Sequence, residues 1–503
     1  MYVLEPATPL SDSMVWRLQR TFYVDQGIEA WSRSGVPQAV TTSPNIAQAY
    51  ARIVQAYLAD IRPNLDLDKP IYIVELGAGS GRFAYRFLKG FDTQGLNVVY
   101  VMTDAAPSVV AYWRTNERLQ PFVDRGALEF DQFDLLNPAA FQVQHPGNPI
   151  VVIGNYIFDS IPQDAYTLRD GHVFRNVVTI GADSPDLDLT APDSRVRISI
   201  TFDADTQPTN VEDDPDPIIG DILRAYQHRL HDTSVLIPRT AMACVRFFHE
   251  LGGGRGLCLI GDLGDTQLEE LEGHGPPGFG AGGGFWLPVN FHALGEFTRG
   301  LGGHARHPQT GHFRLNISML VFDGQPEAYP GTHAAYIENI DRFGPDCLAV
   351  VNRAVAEQMP NLQLEVLLAL LRSTHWDPDY VIRAVEFLVD KLPEAEGRFR
   401  KILLQGVYST WEQYYPIGEA DDVPFGLGVL LFSLHQYADA LEFFERSLRQ
   451  FGEDPRTTLN LALTLYHLDR KSESLEWLDR TLALDPTNDL ATRMRPDVLA
   501  DLT

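Results

Sequence analysis

The fold of this chain is indicated by residues 71–81, which are Ile71-Tyr72-Ile73-Val74-Glu75-Leu76-Gly77-Ala78-Gly79-Ser80-Gly81. The first six are mostly apolar and predict a strand that is covered on both faces. The glycines that follow allow a tight turn and a close approach of the backbone to a ligand at the start of a helix. A nicotinamide-binding loop would place its third glycine one position later, where Arg82 stands. The segment therefore predicts a ligand-binding strand, turn and helix, and disfavours a nicotinamide enzyme.

Strands and helices alternate around this unit. Apolar runs predict strands over Val98–Thr103, Ala127–Phe133 and Pro149–Gly154, and apolar residues at helical spacing predict a helix over 44–60. The alternation predicts the α/β class with a doubly wound, mostly parallel sheet. Farther along the chain, strands are predicted over 173–180, 197–202, 256–260 and 316–322, helices over 218–231 and 291–299, and a glycine-rich surface loop near the site over 275–284.

The C-terminal part is predicted to be helical, with an internal repeat. Phe432-Ser433-Leu434 aligns with Tyr466-His467-Leu468, an offset of 34 residues. This is the period of tetratricopeptide repeats, although an ordinary pair of helical hairpins is the alternative. The predicted domains are an N-terminal helical segment that covers the cofactor site (1–70), the sheet domain (71–325), a helical connector (326–420) and the repeats (421–503).

Charge limits the choice of partners. Lys and Arg number 40 against 67 Asp and Glu, a net charge of −27. This charge repels nucleic acid and favours a basic protein or peptide partner, unless it only keeps the protein in solution. The sequence shows no secretory signal and no apolar run of membrane-spanning length, so we expect a cytoplasmic protein. Its three cysteines are expected to be buried thiols, and no metal site is predicted.

Several acidic residues follow the predicted strands and are candidate ligands for a nucleoside. Asp104 ends the second strand, where a carboxylate can hold two ribose hydroxyls, or can cap the next helix instead. Asp134 ends the third strand and is a candidate for the adenine amino group, with Asp131 as its competitor. Glu75 could accept a hydrogen bond from a cationic amino group, directly through the loop or through water.

Polar residues also follow the fourth strand, where ligands of doubly wound sheets bind. Asn155 and Tyr156 are expected beside the reacting group and Asp159 near the substrate. A carboxylate there can bind a guanidinium through two hydrogen bonds. For Asp159, a turn or helix-capping role is the alternative.

Five motifs, in the same order, resemble the MidA-like methyltransferases. The motifs are Thr41-Thr42-Ser43-Pro44, Glu75–Gly81, Gly154–Pro162, Leu259–Gly264 and Val289–Leu294. The mitochondrial member of that family is a complex I assembly factor that dimethylates a protein arginine. The resemblance covers about residues 20–322 and implies a class I methyltransferase sheet that binds S-adenosyl-L-methionine.

The resemblance also implies roles for individual residues. Ser43 would help to cover the cofactor, Gly77, Gly79 and Gly81 would form its loop, and Asn155 and Asp159 would line the transfer site. Tyr156 departs from the family, which has Glu at this position, so the resemblance supports an arginine acceptor less firmly here.

Three functions follow as hypotheses. The first is methyl transfer to a nitrogen of a protein or peptide side chain, with arginine favoured and with the repeats binding the substrate protein. The second is a scaffold that binds the cofactor without reacting. The third is a small-molecule methyltransferase whose repeats form a homo-oligomer.

Overall fold

The computed structural model describes residues 2–32, 36, 38–187, 189, 197–281, 285–309, 315–342, 344–393 and 395–502. They form two compact units, Met1–Leu348 and Ala349–Thr503. None of the helices in these described ranges is both long and apolar enough to cross a membrane.

The strands of the first unit are β1 (Tyr2–Pro9), β2 (Ile71–Leu76), β3 (Val98–Asp104), β4 (Leu128–Gln132), β5 (Ile150–Asn155), β6 (Asp164–Arg169), β7 (His172–Ala182), β8 (Ile198–Ala204), β9 (Thr233–Ile237), β10 (Gly256–Asp262), β11 (Gly264–Asp265), β12 (Gly280–Ala281), β13 (Phe285–Trp286), β14 (Val289–Asn290), β15 (His304–Arg306) and β16 (Asn316–Val321). Its helices are α1 (Met14–Gln26), α2 (Glu29–Ser32), α3 (Pro44–Ile61), α4 (Arg82–Gly90), α5 (Pro107–Thr115), α6 (Gln120–Asp124), α7 (Pro217–Arg229), α8 (Arg239–Leu251), α9 (Phe291–Gly300) and α10 (Pro330–Tyr336), followed by a π-helical stretch (Ile337–Arg342).

The main sheet has seven strands in the order β15-β16-β10-β5-β2-β3-β4. Strands β4, β3, β2, β5 and β10 are parallel neighbours, and β16 runs antiparallel to both β10 and β15. Every residue of β2, β3 and β10 is buried, as expected of central strands covered on both faces. The predicted doubly wound, mostly parallel α/β sheet is therefore confirmed.

A second, antiparallel sheet consists of β1 and of the strands β6 to β9, which are inserted in the chain between β5 and β10. The hairpin β6–β7 forms its centre, β9 pairs with β6, and β1 and β8 flank the second half of β7. The sequence predicted a helical segment over 1–70, but residues 2–9 of it form β1, because they pair with β7. This strand contains two prolines and shifts in register, so it depends on its partner more than on its own residues.

Local signals define most helix boundaries in the first unit. Helix α3 begins after Ser43, whose side chain accepts a hydrogen bond from the amide of Ile46, and its first residue is a proline. Helix α5 ends at Thr115 and is followed by the separate short helix α6. Cys244 and Cys258 are buried, but Cys347 is exposed, so the expectation of three buried thiols is wrong for that residue.

The predicted loop over 275–284 is partly a hairpin, because β12 pairs with β13. Residues 282–284 lie outside the described residues.

The second unit is helical in its described residues. It begins within α11 (Pro345–Ala356), and the helices that follow are α12 (Leu364–Ser373), α13 (Pro378–Lys391), α14 (Gly397–Gln413), α15 (Val423–Ser433), α16 (Tyr437–Phe451), α17 (Pro455–His467), α18 (Lys471–Leu484) and α19 (Asp489–Ala500). Small residues permit close packing between them. A Cβ atom added at Gly428 of α15 would lie 2.7 Å from the ring of Phe444 in α16.

Candidate active site

The glycine loop connects β2 to α4 at the carboxyl end of the main sheet. Gly77 and Gly79 have φ angles of +58° and +53°, in the left-handed region that favours glycine. A Cβ atom at Gly79 would lie 2.7 Å from the indole of Trp31. The amide of Ala78 donates to the carbonyl oxygen of Thr103 over 2.8 Å, which fixes the loop to β3. The loop therefore presents bare backbone to the space above it.

Glu75 lies at the base of this loop with its carboxyl group buried. The hydroxyl of Tyr100 donates to its Oε2 over 3.0 Å. Burial, with a smaller contribution from the charge of Asp104, nevertheless raises the pKa of Glu75 to about 8. The carboxyl group of Glu75 is therefore largely protonated at neutral pH.

Asp104 joins the end of β3 to the glycine loop. Its Oδ2 accepts from the amide of Gly79 over 3.2 Å, and its Oδ1 accepts from the amide of Ala106 over 2.9 Å, just before α5. Burial raises the pKa of Asp104 to about 6. The alternative of helix capping is not seen, because the N-cap residue of α5 is Ala106 and no side chain caps this helix. The carboxylate of Asp104 instead holds the turn before α5, and it lines the cavity described below.

Asn155, Tyr156 and Asp159 come together after β5. The hydroxyl of Tyr50 donates to Oδ1 of Asn155 over 2.8 Å and fixes the orientation of that amide. Tyr156 has a φ of +51°, and its amide donates to the carbonyl oxygen of Gly261 over 2.8 Å. Backbone strain at a non-glycine residue is often found at functional sites.

Asp159 is a buried carboxyl group at the same end of β5. The hydroxyl of Ser160 donates to its Oδ1 over 2.7 Å. Burial raises the pKa of Asp159 to about 6. The carboxylate is thus mainly charged above neutral pH and can accept further hydrogen bonds.

A cavity of about 510 Å³ connects these groups. Its wall contains Glu75, Gly77, Gly79, Asp104, Asn155, Tyr156 and Asp159. This volume lies within the usual range for small-molecule sites, roughly 300–1,000 Å³. Seven of the ten residues selected from the sequence therefore face one space.

Ser43, Gly81 and Asp134 are placed elsewhere. Ser43 caps α3, while its neighbours Thr41 and Thr42 line the cavity. Gly81 precedes α4 with a φ of +80°, and its amide closes the turn by donating to the carbonyl oxygen of Ala78 over 2.9 Å.

Asp134 forms an ion pair with Arg20 at 2.7 Å, and it is Arg20 that contributes to the cavity wall. The apolar side chains of Leu135 and Leu136, next in the chain, line the cavity instead.

An aromatic part of the wall was not predicted from the sequence. It consists of Trp16, Tyr23, Trp31, Phe83, Phe285 and Trp286. A signal existed, because Trp16, Gln19, Arg20 and Tyr23 recur at i, i+3, i+4 and i+7 and thus share one face of α1. Oε1 of Gln19 accepts from the amide of Phe285 over 2.7 Å and holds this helix against β13.

Comparison with known proteins gave two kinds of match. A family model described as a tetratricopeptide repeat matches residues 431–495, whereas no curated protein matches the chain. A Burkholderia thailandensis protein solved with bound S-adenosyl-homocysteine superposes with a TM-score of 0.42 at 16% identity, over 64% of this chain and 90% of its own. Magnesium protoporphyrin IX methyltransferase from Synechocystis PCC 6803, also solved with S-adenosyl-homocysteine, superposes with a TM-score of 0.30 at 11% identity, over 61% of this chain and 99% of its own.

The strand order of the main sheet defines the class of the first unit. Six of its seven strands run in the same direction, and the reversed strand β16 lies between β10 and β15, which is the class I methyltransferase sheet that was predicted. The predicted repeats are also confirmed, since residues 431–495 match the tetratricopeptide model and form consecutive helices.

Proposed function

We propose that the first unit is an S-adenosyl-L-methionine-dependent methyltransferase. The observation that carries the proposal is that one cavity is lined by apolar Leu135 and Leu136, by the carboxylate of Asp104 and by the glycine loop with Glu75. These groups suit the adenine, the ribose hydroxyls and the cationic methionine end of the cofactor, respectively. The sulfonium methyl group would then face the residues that follow β5.

The acceptor proposed is a guanidinium nitrogen, as in arginine. Asp159 is a buried carboxylate that lines the cavity, and a carboxylate can accept a charge-assisted hydrogen bond from a guanidinium. In the transfer, the nitrogen lone pair forms the new N–C bond while the S–C bond breaks. Sulfur keeps the electron pair of the broken bond, and the nitrogen loses a proton to Asp159 or to water.

The remaining groups would orient the acceptor. Asn155 is fixed by Tyr50, so its amide can hold a nitrogen in line with the methyl group at little entropic cost. Tyr156 replaces the glutamate of the family that the sequence resembles, which leaves Asp159 as the carboxylate for the guanidinium.

The second unit is proposed to bind the protein or peptide that carries the acceptor. Tetratricopeptide repeats offer extended binding surfaces, and the net charge of −27 favours a basic partner in the cytoplasm. Self-association through the repeats is the other use proposed for this unit.

A small-molecule acceptor is the second candidate function. The aromatic side chains of Trp16, Tyr23, Trp31 and Trp286 would suit an apolar or aromatic compound rather than a side chain presented by a protein. A scaffold that binds the cofactor without transfer is the third, motivated by Tyr156.

Radiolabelled cofactor separates these functions. The purified chain is incubated with labelled S-adenosyl-L-methionine and either lysate protein or a small-molecule extract, and modified residues are identified by mass spectrometry. Label on arginine that is lost in Asp159→Asn and kept in Asp131→Asn supports the proposal, because Asp131 lies outside the cavity wall. Label only in the extract supports the second function. Cofactor binding in calorimetry without any labelled product supports the scaffold, and the absence of binding contradicts all three.

A further inference from the structure

Asp262 is a fully buried acid at the end of β10 that the proposed chemistry does not use. One of its carboxyl oxygens, Oδ2, accepts from the amide of Phe158 over 3.0 Å. The amides of Ile157 and Asp159 also stabilise its charged form, more weakly. Asp262 therefore lies beneath the turn that connects Tyr156 to Asp159 and fixes the backbone of that turn.

The other oxygen of Asp262, Oδ1, is buried and has no hydrogen-bond partner among the described residues. An ionised carboxylate with one oxygen in this state would be very costly, because burial removes the water that stabilises the charge. A neutral acid in the same position would avoid most of that cost.

The ionisable groups around Asp262 do not offset a negative charge. The charge of Asp159, on the turn above, raises the pKa of Asp262, and Asp262 in turn raises the pKa of Tyr50 on α3. Both neighbours are acids, and among the described residues no cation is named as affecting the pKa of Asp262. Burial, followed by the charge of Asp159, raises the pKa of Asp262 well above its usual range. The first proton to leave the pair is therefore that of Asp159.

We propose that Asp262 is a positioning residue that stays protonated over the working pH range, holds the turn at residues 157–160, and thereby leaves the negative charge at the acceptor end of the cavity on Asp159. The acceptor part of this inference rests on the function proposed above. The protonation part depends only on the geometry around β10.

Infrared difference spectroscopy tests the protonation state directly. The full chain is labelled with ¹³C-aspartate, so that bands of protonated aspartic acids are separated from that of Glu75. At pH 7.5 we expect a protonated-aspartate band in the wild type and in Asp131→Asn, and its loss in Asp262→Asn. A wild type without the band, or a band that persists in Asp262→Asn, would overturn the proposal.

A second variant keeps the test decisive if Asp262→Asn does not fold. In Asp159→Asn the negative charge next to Asp262 is absent. The protonated-aspartate band of Asp262 should therefore disappear at a lower pH than in the wild type when the pH is raised. A midpoint that is unchanged or moves upward contradicts the pairing of the two acids.

The positioning role has its own measurement. Asp262→Ala removes the acceptor for the amide of Phe158, and we expect methyl transfer to lysate protein to fall at least tenfold. Asp262→Asn keeps an acceptor oxygen and should recover most of that loss, with an unchanged pH profile. If Asp262→Asn loses as much as Asp159→Asn, Asp262 acts as an anion and the proposal is wrong. If the wild type neither binds S-adenosyl-L-methionine in calorimetry nor transfers methyl groups, the proposed function fails, while the infrared result still decides the state of Asp262.

Discussion

The hydroxyl group of Tyr100 donates a hydrogen bond to Oε2 of Glu75 over 3.0 Å, and this bond connects two neighbouring strands at the base of the glycine loop. It favours the charged carboxylate, but burial outweighs it and the pKa of Glu75 rises to about 8. Glu75 is therefore mainly protonated at neutral pH unless a cation lies beside it. This affects both the stability of the ligand-free protein and the binding of a cationic ligand.

The stability of the ligand-free protein should depend on Glu75. Because its pKa rises from 4.5 to about 8 on folding, the folded state binds this proton more tightly. The associated stability is complete below pH 4.5 and is lost as pH rises through 8. At roughly 1.4 kcal/mol per pH unit, the loss reaches at most about 5 kcal/mol. Thermal unfolding should thus show Glu75→Gln gaining stability over the wild type between pH 5 and pH 8.5, whereas Glu129→Gln, on exposed β4, should show no such trend. If the difference in stability between Glu75→Gln and the wild type does not vary with pH, the raised pKa of Glu75 is contradicted.

Cofactor binding should release a proton from Glu75. The cationic amino group of S-adenosyl-L-methionine favours the charged carboxylate, so at pH 7 the binding enthalpy should vary with the ionisation enthalpy of the buffer. In Glu75→Gln this dependence should be smaller, and affinity should fall about tenfold with the loss of a charge-assisted hydrogen bond. Isothermal calorimetry in two buffers measures both quantities. Equal buffer dependence in the two proteins would exclude Glu75 as the source of the proton.

Gly79→Ala should weaken cofactor binding in addition to straining the backbone. The new methyl group would lie 2.7 Å from Trp31 and face the cavity. Gly126→Ala is the matched control, because Gly126 also has a positive φ of +71° but nothing within 4 Å of its Cβ position. Both variants should lose about 1–3 kcal/mol of stability from strain. Only Gly79→Ala should lose cofactor affinity, by at least tenfold in calorimetry, and equal affinities in the two variants would argue against a cofactor at the loop.

Protonation of Asp104 should lower the affinity for the cofactor at acidic pH. With its pKa raised to about 6 by burial, it loses its charge as the pH falls through 6, and ribose hydroxyls then lose a charged acceptor. Titrations with S-adenosyl-homocysteine should show affinity decreasing between pH 7 and pH 5 in the wild type and in Asp131→Asn. In Asp104→Asn, affinity should be lower throughout and vary less with pH. If affinity in Asp104→Asn falls between pH 7 and pH 5 as much as in the wild type, another acid causes the pH dependence.

The packing of the second unit can be tested at Gly428. An added methyl group would lie 2.7 Å from the ring of Phe444, so Gly428→Ala should destabilise this unit by about 1–3 kcal/mol. Gly397, at the start of α14, has nothing within 4 Å of its Cβ position. There alanine should be neutral or stabilising by up to about 1 kcal/mol, because it is the better helix former. Chemical denaturation measures both changes, and equal stabilities would contradict close packing of α15 on α16.

The elements predicted correctly are those whose signal is local. Strand β2 and the glycine loop carry their own pattern, and the period of the repeats is visible as aligned apolar positions. Helix α3 was found because its apolar residues recur at helical spacing after Pro44. Such signals depend on neighbours in the chain and need no knowledge of the fold.

The features missed depend on residues that are far apart in sequence. The position of Asp134 suggested a ligand for adenine, but an ion pair with Arg20 of α1 engages it. Strand β1 exists only because β7 provides its partner. The unpaired oxygen of Asp262 likewise becomes visible only when the turn after β5 is placed above it.

The inserted sheet has a consequence for how the chain folds. Strand β5 pairs in parallel with β10, although Ile150 and its partner Gly256 are separated by roughly a hundred residues of intervening chain. Closing so long a connection is entropically costly, so this pairing is expected to form late, after the antiparallel hairpins of the insertion have collapsed. Asn155 and Asp262 sit on these two strands, and the reaction site would therefore be among the last parts of the molecule to be assembled.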